Sequence, residues 1–226
     1  MALSDTVLQR MTAHAQSVRE HLNAGGTKRW DLTGAKAVVQ PGGELVVRLL
    51  PRWDGADDVI YLEAAEHWWT GPDTKAARAW CLQSFGESAC PICEASDALK
   101  KSNVKEDRDE GYRISRRETF LFNACVGGTG KRRLDDTGKV DIRSLAVGST
   151  VFLGIAAIMT GGGDESFARG DISDPASGYD LKFTRPPQGA QGVQWKVDCR
   201  PQPSALFITA EAEAFDGWEA GLVNLS

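Results

Sequence analysis

Three of the chain's five cysteines and one of its three histidines crowd into residues 67 to 93. They are His67, Cys81, Cys90 and Cys93, in the stretch HWWTGPDTKAARAWCLQSFGESACPIC. A Cys-x-x-Cys pair brings two sulfurs to one ion from one tight turn, and Pro91 stiffens this pair. The other two ligands then come from a separate upstream segment. One imidazole and three thiolates make the closed tetrahedral set that zinc prefers in structural sites, with no open position for catalysis. One Zn2+ would tie together a subdomain at about 64–103, which is too small to hold itself together by a core alone. The competing reading is a redox Cys-x-x-Cys or three buried thiols. A thioredoxin-like motif needs a βαβ context, and the flanking sequence has none. An odd cysteine count fits metal ligands plus spare thiols better than a disulfide framework, so a reducing cytoplasm is expected. Cys125 and Cys199 fall in alternating strands and read as core residues.

Around this block the hydrophobic pattern is mostly that of strands. GELVVRLLP (43–51) and DDVIYLE (57–63) read as strands before it. Within it, DTKAARAWCLQSF (73–85) reads as a short helix capped by Asp73, and ICEASDALKKS (92–102) as a second. RETFLFNACVG (117–127) and GKVDIRSL (138–145) are strands. In GSTVFLGIAAIMTGGG, the residues Val151, Phe152, Ile155, Ile158 and Met159 repeat at helical spacing, with Ser149 as cap and Gly161 as stop. SGYDLKFTR and VQWKVDCR alternate as a hairpin, with Tyr179, Leu181, Phe183, Trp195, Val197 and Cys199 on the buried face. Residues 5 to 23 carry an amphipathic helix, with Leu8, Met11, Ala15, Val18 and Leu22 on one stripe and His14 and His21 at the surface. Six or seven strands with a helix late in the set predict a mainly β fold with short helices. The expected fold is an OB-fold, a small Greek-key barrel with a helix between its third and fourth strands, and the Cys/His block is inserted between earlier strands. The organisation expected is an N-terminal helical arm at 1–29, the barrel at 30–205, and an acidic C-terminal segment at 206–226.

Charge is unevenly spread. The net charge of −5 argues mildly against nucleic acid. Yet GYRISRRETFLFNACVGGTGKRR holds Arg113, Arg116, Arg117, Lys131, Arg132 and Arg133 against one acid, Glu118. After Arg200 come only acids: Glu211, Glu213, Asp216 and Glu219. VGGTGKRR resembles a phosphate loop but is not a Walker A motif, since Cys125 and Arg132 stand where Gly and Ser or Thr are needed. There is no HExxH, nucleophile elbow or paired-carboxylate signature, so no enzyme is expected. No apolar run is long enough to span a membrane, and no signal-peptide h-region is present.

The chain resembles the single-stranded DNA-binding, helix-destabilising proteins of tailed bacteriophages, of the T-even type. GGELVVRLLP, the order His67, Cys81, Cys90, Cys93 ending in CPICE, RETFLFNACV after a charged helix, and GDISDPASGYDLKFTR followed by VQWKV carry the likeness, over residues 30 to about 205. The resemblance implies an OB-fold with a zinc subdomain and single-stranded DNA held in the cleft between them. It also implies self-association along DNA through the N-terminus, and recruitment of phage replication proteins by the acidic C-terminal segment. Such a protein coats and protects single strands during phage replication, recombination and repair in the cytoplasm of an infected bacterium. The N-terminal helix here is longer than the family's segment, and the acidic end is short.

Sequence-independent binding needs cations for phosphates and rings for bases. The cations expected to serve are Arg48, Arg52, Arg113, Arg116, Arg117, Lys182, Arg185 and Lys196. The rings are Trp53, Trp69, Phe120 and Tyr179, with Trp68 beside them. At least one of Trp68 and Trp69 is expected to pack the zinc subdomain instead. The other classes that fit are a zinc-containing OB-like interaction or virion protein that binds no nucleic acid, and, given an open metal position, an enzyme.

Overall fold

The fold described here is that of a computed structural model, which describes residues 29–31, 43–51, 60–70, 76–185 and 195–222. Its strands are β1 (Arg29–Asp31), β2 (Glu44–Leu50), β3 (Tyr61–Thr70), β4 (Ala76–Trp80), β5 (Arg117–Val126), β6 (Ile142–Gly148), β7 (Asp180–Thr184) and β8 (Lys196–Cys199). The helices are α1 (Pro91–Lys100), α2 (Lys105–Arg113) and α3 (Ser149–Thr160), with several single 3-10 turns. The protein is therefore mainly β with short helices, and most of its strand pairs are antiparallel. The helix expected over 5–23, the turn before β2, and Arg52 and Trp53 lie outside the described residues.

The main sheet runs in the order β1-β6-β5-β2-β7-β8. β2 pairs antiparallel with β5, with Val47 opposite Val126, and with β7, with Val47 opposite Leu181. β7 and β8 form the expected hairpin, with Leu181 opposite Cys199. β1 joins β6 in parallel, with Trp30 opposite Leu145. The period-2 pattern decides which side chains go inward. Leu45, Val47 and Leu49 of β2 meet Phe120, Phe122 and Ala124 of β5 and Leu181 and Phe183 of β7 in one buried core. Helix α3 closes this core with Val151, Phe152, Ile155, Ile158 and Met159, the stripe read from the sequence. Its Gly161 adopts the left-handed conformation (φ 81°) that ends a helix cheaply only at glycine.

β2 is buried on both faces. Its opposite side carries Arg48 and Leu50, and Leu50 packs with Cys125, Val140, Leu206 and Phe215. Residues 206–222 therefore do not form an acidic tail. Phe215 is buried and stacks on Phe207 at 4.7 Å, so this segment is one wall of a second core.

Two local expectations are overturned. Residues 76–85 do not form the expected α-helix, and its expected cap, Asp73, lies outside the described residues. Ala76–Trp80 is strand β4, paired antiparallel with β3, and a 3-10 turn follows at Leu82–Phe85. Alanine's helix propensity amounts to tenths of a kcal/mol per residue, and a ladder against β3 outweighs it. The strand expected at 138–145 begins at Ile142, because Asp135 ties 135–139 into a turn through its bonds to Thr137 and Lys139.

The described chain divides into two compact units. One runs from Glu63 to Thr119. The other takes the described residues before Glu63 and after Thr119. The first unit thus includes α2 and reaches beyond the 64–103 range expected for the Cys/His block.

Candidate metal centre

His67, Cys81, Cys90 and Cys93 come together in the first unit, with their ligand atoms within 4.8 Å of one another. Each is delivered by a different local device. His67 sits in β3 opposite Ala79, so the ladder sets its ring on the face shared with Ala65 and Trp69. Cys81 follows β4 directly, and its N–H continues the ladder to the Ala65 carbonyl at 2.7 Å. The Ser84 hydroxyl then fixes the turn, donating to the Cys81 carbonyl at 2.6 Å and accepting from the Ala65 N–H at 3.1 Å. Cys90 caps α1, Pro91 takes the first helical position where its missing N–H costs nothing, and Cys93 follows in the first turn.

The geometry within the cluster is tight. His67 Nε2 lies 3.4 Å from Cys90 Sγ and 3.5 Å from Cys93 Sγ, and Cys81 Sγ is 3.5 Å from Cys93 Sγ. His67 Nδ1 is 2.8 Å from the Ile114 carbonyl oxygen, which only accepts. That bond fixes the proton on Nδ1 and leaves the Nε2 lone pair facing the sulfurs, as metal-binding histidines require. His67, Cys81 and Cys90 have no solvent exposure, and Ala65, Trp69, Ala79, Ile92 and Ile114 surround them with apolar groups.

The thiols are unequal in this setting. Burial would raise Cys90, but bonds from His67 and from the backbone of Cys93 and Leu82 outweigh it and bring the thiol down to about 6. Cys93 is pushed up to about 12 by burial and by its neighbours Cys81 and Cys90. Burial also raises Cys81. A cation at the centre would reverse the penalty on Cys81 and Cys93, because thiolates are its ligands. Four converging donors of this kind can hold a metal ion. Cys125 and Cys199 stand apart from the cluster. Cys125 is buried in the second core with its thiol raised to about 11 by burial, and Cys199 packs at the edge of the main core.

The residues expected to meet nucleic acid scatter by environment. Arg48 is a correction: it is wholly buried, with Nε 3.3 Å from Asp180 and Nη2 donating to the Ser204 carbonyl at 2.6 Å. It faces the second core because, at an even position of a two-sided strand, it points away from Val47 and Leu49. Trp69 is a correction of the same kind, since β3 alternation turns it into the apolar wall of the metal centre. Phe120 is a third, stacked on Phe152 at 3.7 Å in the main core. Tyr179 is half-buried against that core, with the Arg169 guanidinium 5.6 Å from its ring centre. Arg113 is held by Glu110, Lys182 by Glu44 at 2.9 Å, and Lys196 by Asp198 at 3.0 Å. Arg185 is half-buried, and its N–H donates to the Gly43 carbonyl at 3.0 Å. Arg116 and Arg117 are exposed. Arg52 and Trp53 lie outside the described residues.

Sequence reasoning missed a buried ionic hub. Asp180 takes Arg48, Arg132 at 2.7 Å and Arg200 at 3.5 Å, and accepts from the Thr129 N–H at 3.0 Å. It also missed the use made of the Gly-rich loop after β5. That loop binds a carboxylate, with Gly130 and Arg132 N–H groups donating to Glu211 at 3.1 and 3.2 Å. The excess of arginine over acid in 113–133 was the available signal, but partner identity depends on residues some 50 to 80 positions away. Among the described residues, no helix is long and apolar enough to cross a membrane. Comparison with protein-family models and with curated proteins gives no match for this chain.

Proposed function

We propose that this protein is a sequence-independent single-stranded DNA-binding protein, an OB-fold carrying a structural zinc subdomain, of the tailed-phage helix-destabilising type. The observation that carries the reading is the connectivity of the second unit. β2 pairs with both β5 and β7, β8 follows β7 as a hairpin, and α3 lies in the chain between β6 and β7. Taking β2, β5, β6, β7 and β8 as strands one to five, the first pairs with the second and the fourth, and the helix falls between the third and fourth. That order agrees with the Greek key expected of an OB-fold and supports the reading. Most of the metal unit is inserted between the first and second of these strands.

Zinc is the metal that suits the donor set. Three thiolates and one imidazole are soft-to-borderline ligands, and they select zinc over hard cations. A tetrahedral ion at ordinary Zn–S and Zn–N lengths needs N···S edges of about 3.6 Å and S···S edges of about 3.8 Å. The closest separations in the cluster, 3.4 to 3.5 Å, lie within a few tenths of an ångström of those edges. The ion would hold the β3–β4 hairpin to α1 and supply no chemistry beyond that.

The test is a titration of labelled oligo-dT, the matching duplex and RNA at two salt concentrations. With Arg48 internal and Arg52 undescribed, Arg113, Arg116, Arg117, Lys182, Arg185 and Lys196 are the cations left from the expected set. If three to five of them neutralise phosphates, the slope of log K against log salt falls between about −2 and −3.5. Duplex binds much more weakly, because it hides the base faces. Equal affinity for duplex and single strand, or a slope near zero, would leave a zinc-containing OB-like interaction protein that binds no nucleic acid.

A further inference from the structure

The run His67-Trp68-Trp69 splits across the two faces of the β3–β4 hairpin. His67 and Trp69 turn to the metal centre, and Trp68 turns away from it. Trp68 is half-buried and stands directly opposite Arg78 in the ladder. The Arg78 guanidinium lies 5.2 Å from the Trp68 ring centre, and the guanidinium of Arg117, from the start of β5, lies 5.7 Å from it. Arg78 is oriented from behind by the buried Glu66 carboxylate at 3.7 Å. Arg117 and its neighbour Arg116 are both exposed.

Two guanidiniums converging on one accessible indole are a particular combination. An indole face attracts a flat π-system, and a guanidinium also offers a flat face for stacking. The guanidinium edges carry forked N–H donors that match a phosphate. A flat group attached to a phosphodiester satisfies both features, and a single-stranded nucleotide has that chemistry. A paired base has its faces covered by its neighbours.

Building on the single-strand reading above, we propose that Trp68, Arg78 and Arg117 form a nucleotide-stacking subsite within the metal unit. One base joins the Trp68 stack, and the arginines hold the adjoining phosphate. The subsite is formed from β3, β4 and the start of β5, so it depends on the same ladder that presents His67.

The test compares the full-length, metal-loaded protein with Trp68→Ala, Trp68→Phe and Arg117→Ala, using labelled oligo-dT at two salt concentrations, with metal content measured for each. Trp68→Ala weakens binding roughly 5- to 150-fold and leaves the salt slope unchanged. Trp68→Phe keeps most of the affinity, because a ring still stacks. Arg117→Ala flattens the slope by about 0.7. If the parent protein binds oligo-dT and Trp68→Ala binds equally well, the subsite is wrong and the single-strand reading stands. If the parent protein does not bind oligo-dT, both are wrong. If Trp68→Phe weakens binding as much as Trp68→Ala, or both lose metal, then Trp68 is a structural part of the hairpin and the subsite is overturned.

Discussion

Asp180 shows how much one residue can carry in this fold. It has no exposure, yet it faces three guanidiniums. Burial acts to raise its carboxyl, but Arg132, Arg48 and the Thr129 N–H outweigh burial and hold it below the usual carboxylate range. A carboxyl lowered in the folded state contributes stability that is present above its unfolded value, about 3.9, and lost as pH falls through the lower folded value. Asp180→Asn removes that charge and leaves Arg48 and Arg132 buried without a counter-ion. The expected loss is about 3–5 kcal/mol in urea unfolding at neutral pH. The loss should shrink as the parent protein is taken into acid, where its own Asp180 protonates. An equal loss at both pH values would mean that the carboxylate charge is not what holds the hub. The same network explains why an arginine in the middle of an apolar strand is not a DNA contact: Arg48 answers a carboxylate 132 positions away in the chain.

At the scale of elements, the segment after β8 departs most from its sequence pattern. Its acids and lack of lysine or arginine read as a tail, but its apolar residues act as a cover. Leu206 and Phe215 close the outer side of β2 and β5, and Glu211 accepts N–H groups from Ile208, Gly130 and Arg132. The loop needs glycine to make this nest. Gly127 is left-handed (φ 95°), and a side-chain carbon there would stand 2.2 Å from the Lys131 carbonyl oxygen. Glu211→Gln keeps the shape but removes the charge, and it turns one of the two accepting oxygens into an NH2 group that faces an N–H donor. We expect a cost of about 1–2 kcal/mol in stability and faster hydrogen exchange at Gly130 and Arg132. Unchanged exchange at those two amides would show that the carboxylate does not hold the loop. Removing 210–226 altogether should expose Leu50 and Cys125 and destabilise the second unit. The sequence pattern alone suggests instead that such a truncation frees a basic surface for DNA.

At the scale of the whole molecule, two units with unlike cores share one chain. The second has a conventional core of aliphatic and aromatic side chains, whereas the first gathers a small apolar wall around one imidazole and three thiols that could hold a metal ion. Stability of the first unit should therefore depend on the metal, and that of the second should not. Chelation, or Cys90→Ser, is expected to collapse amide protection in β4, α1 and α2, while β2 and β7 keep theirs. Protection lost evenly across the chain would show that the units do not unfold separately. Features that rest on short spacing or a regular period were legible in the sequence. The grouping of His67, Cys81, Cys90 and Cys93 follows from the His and Cys order, α1 from the Cys-Pro-x-Cys start, α3 from its apolar repeat, and the β7–β8 hairpin from alternation. The rest depended on contacts between segments far apart in the chain. Whether 76–80 is helix or strand depended on β3 lying alongside. Whether Arg48, Trp69 and Phe120 face solvent depended on which sheet faces are covered. Whether the acidic end is tail or wall depended on Phe215 finding Leu50. Each of those outcomes is set by a partner far away in the chain, and local propensity, worth tenths of a kcal/mol per residue, yields to the burial of a whole side chain, worth about 1.5–3 kcal/mol.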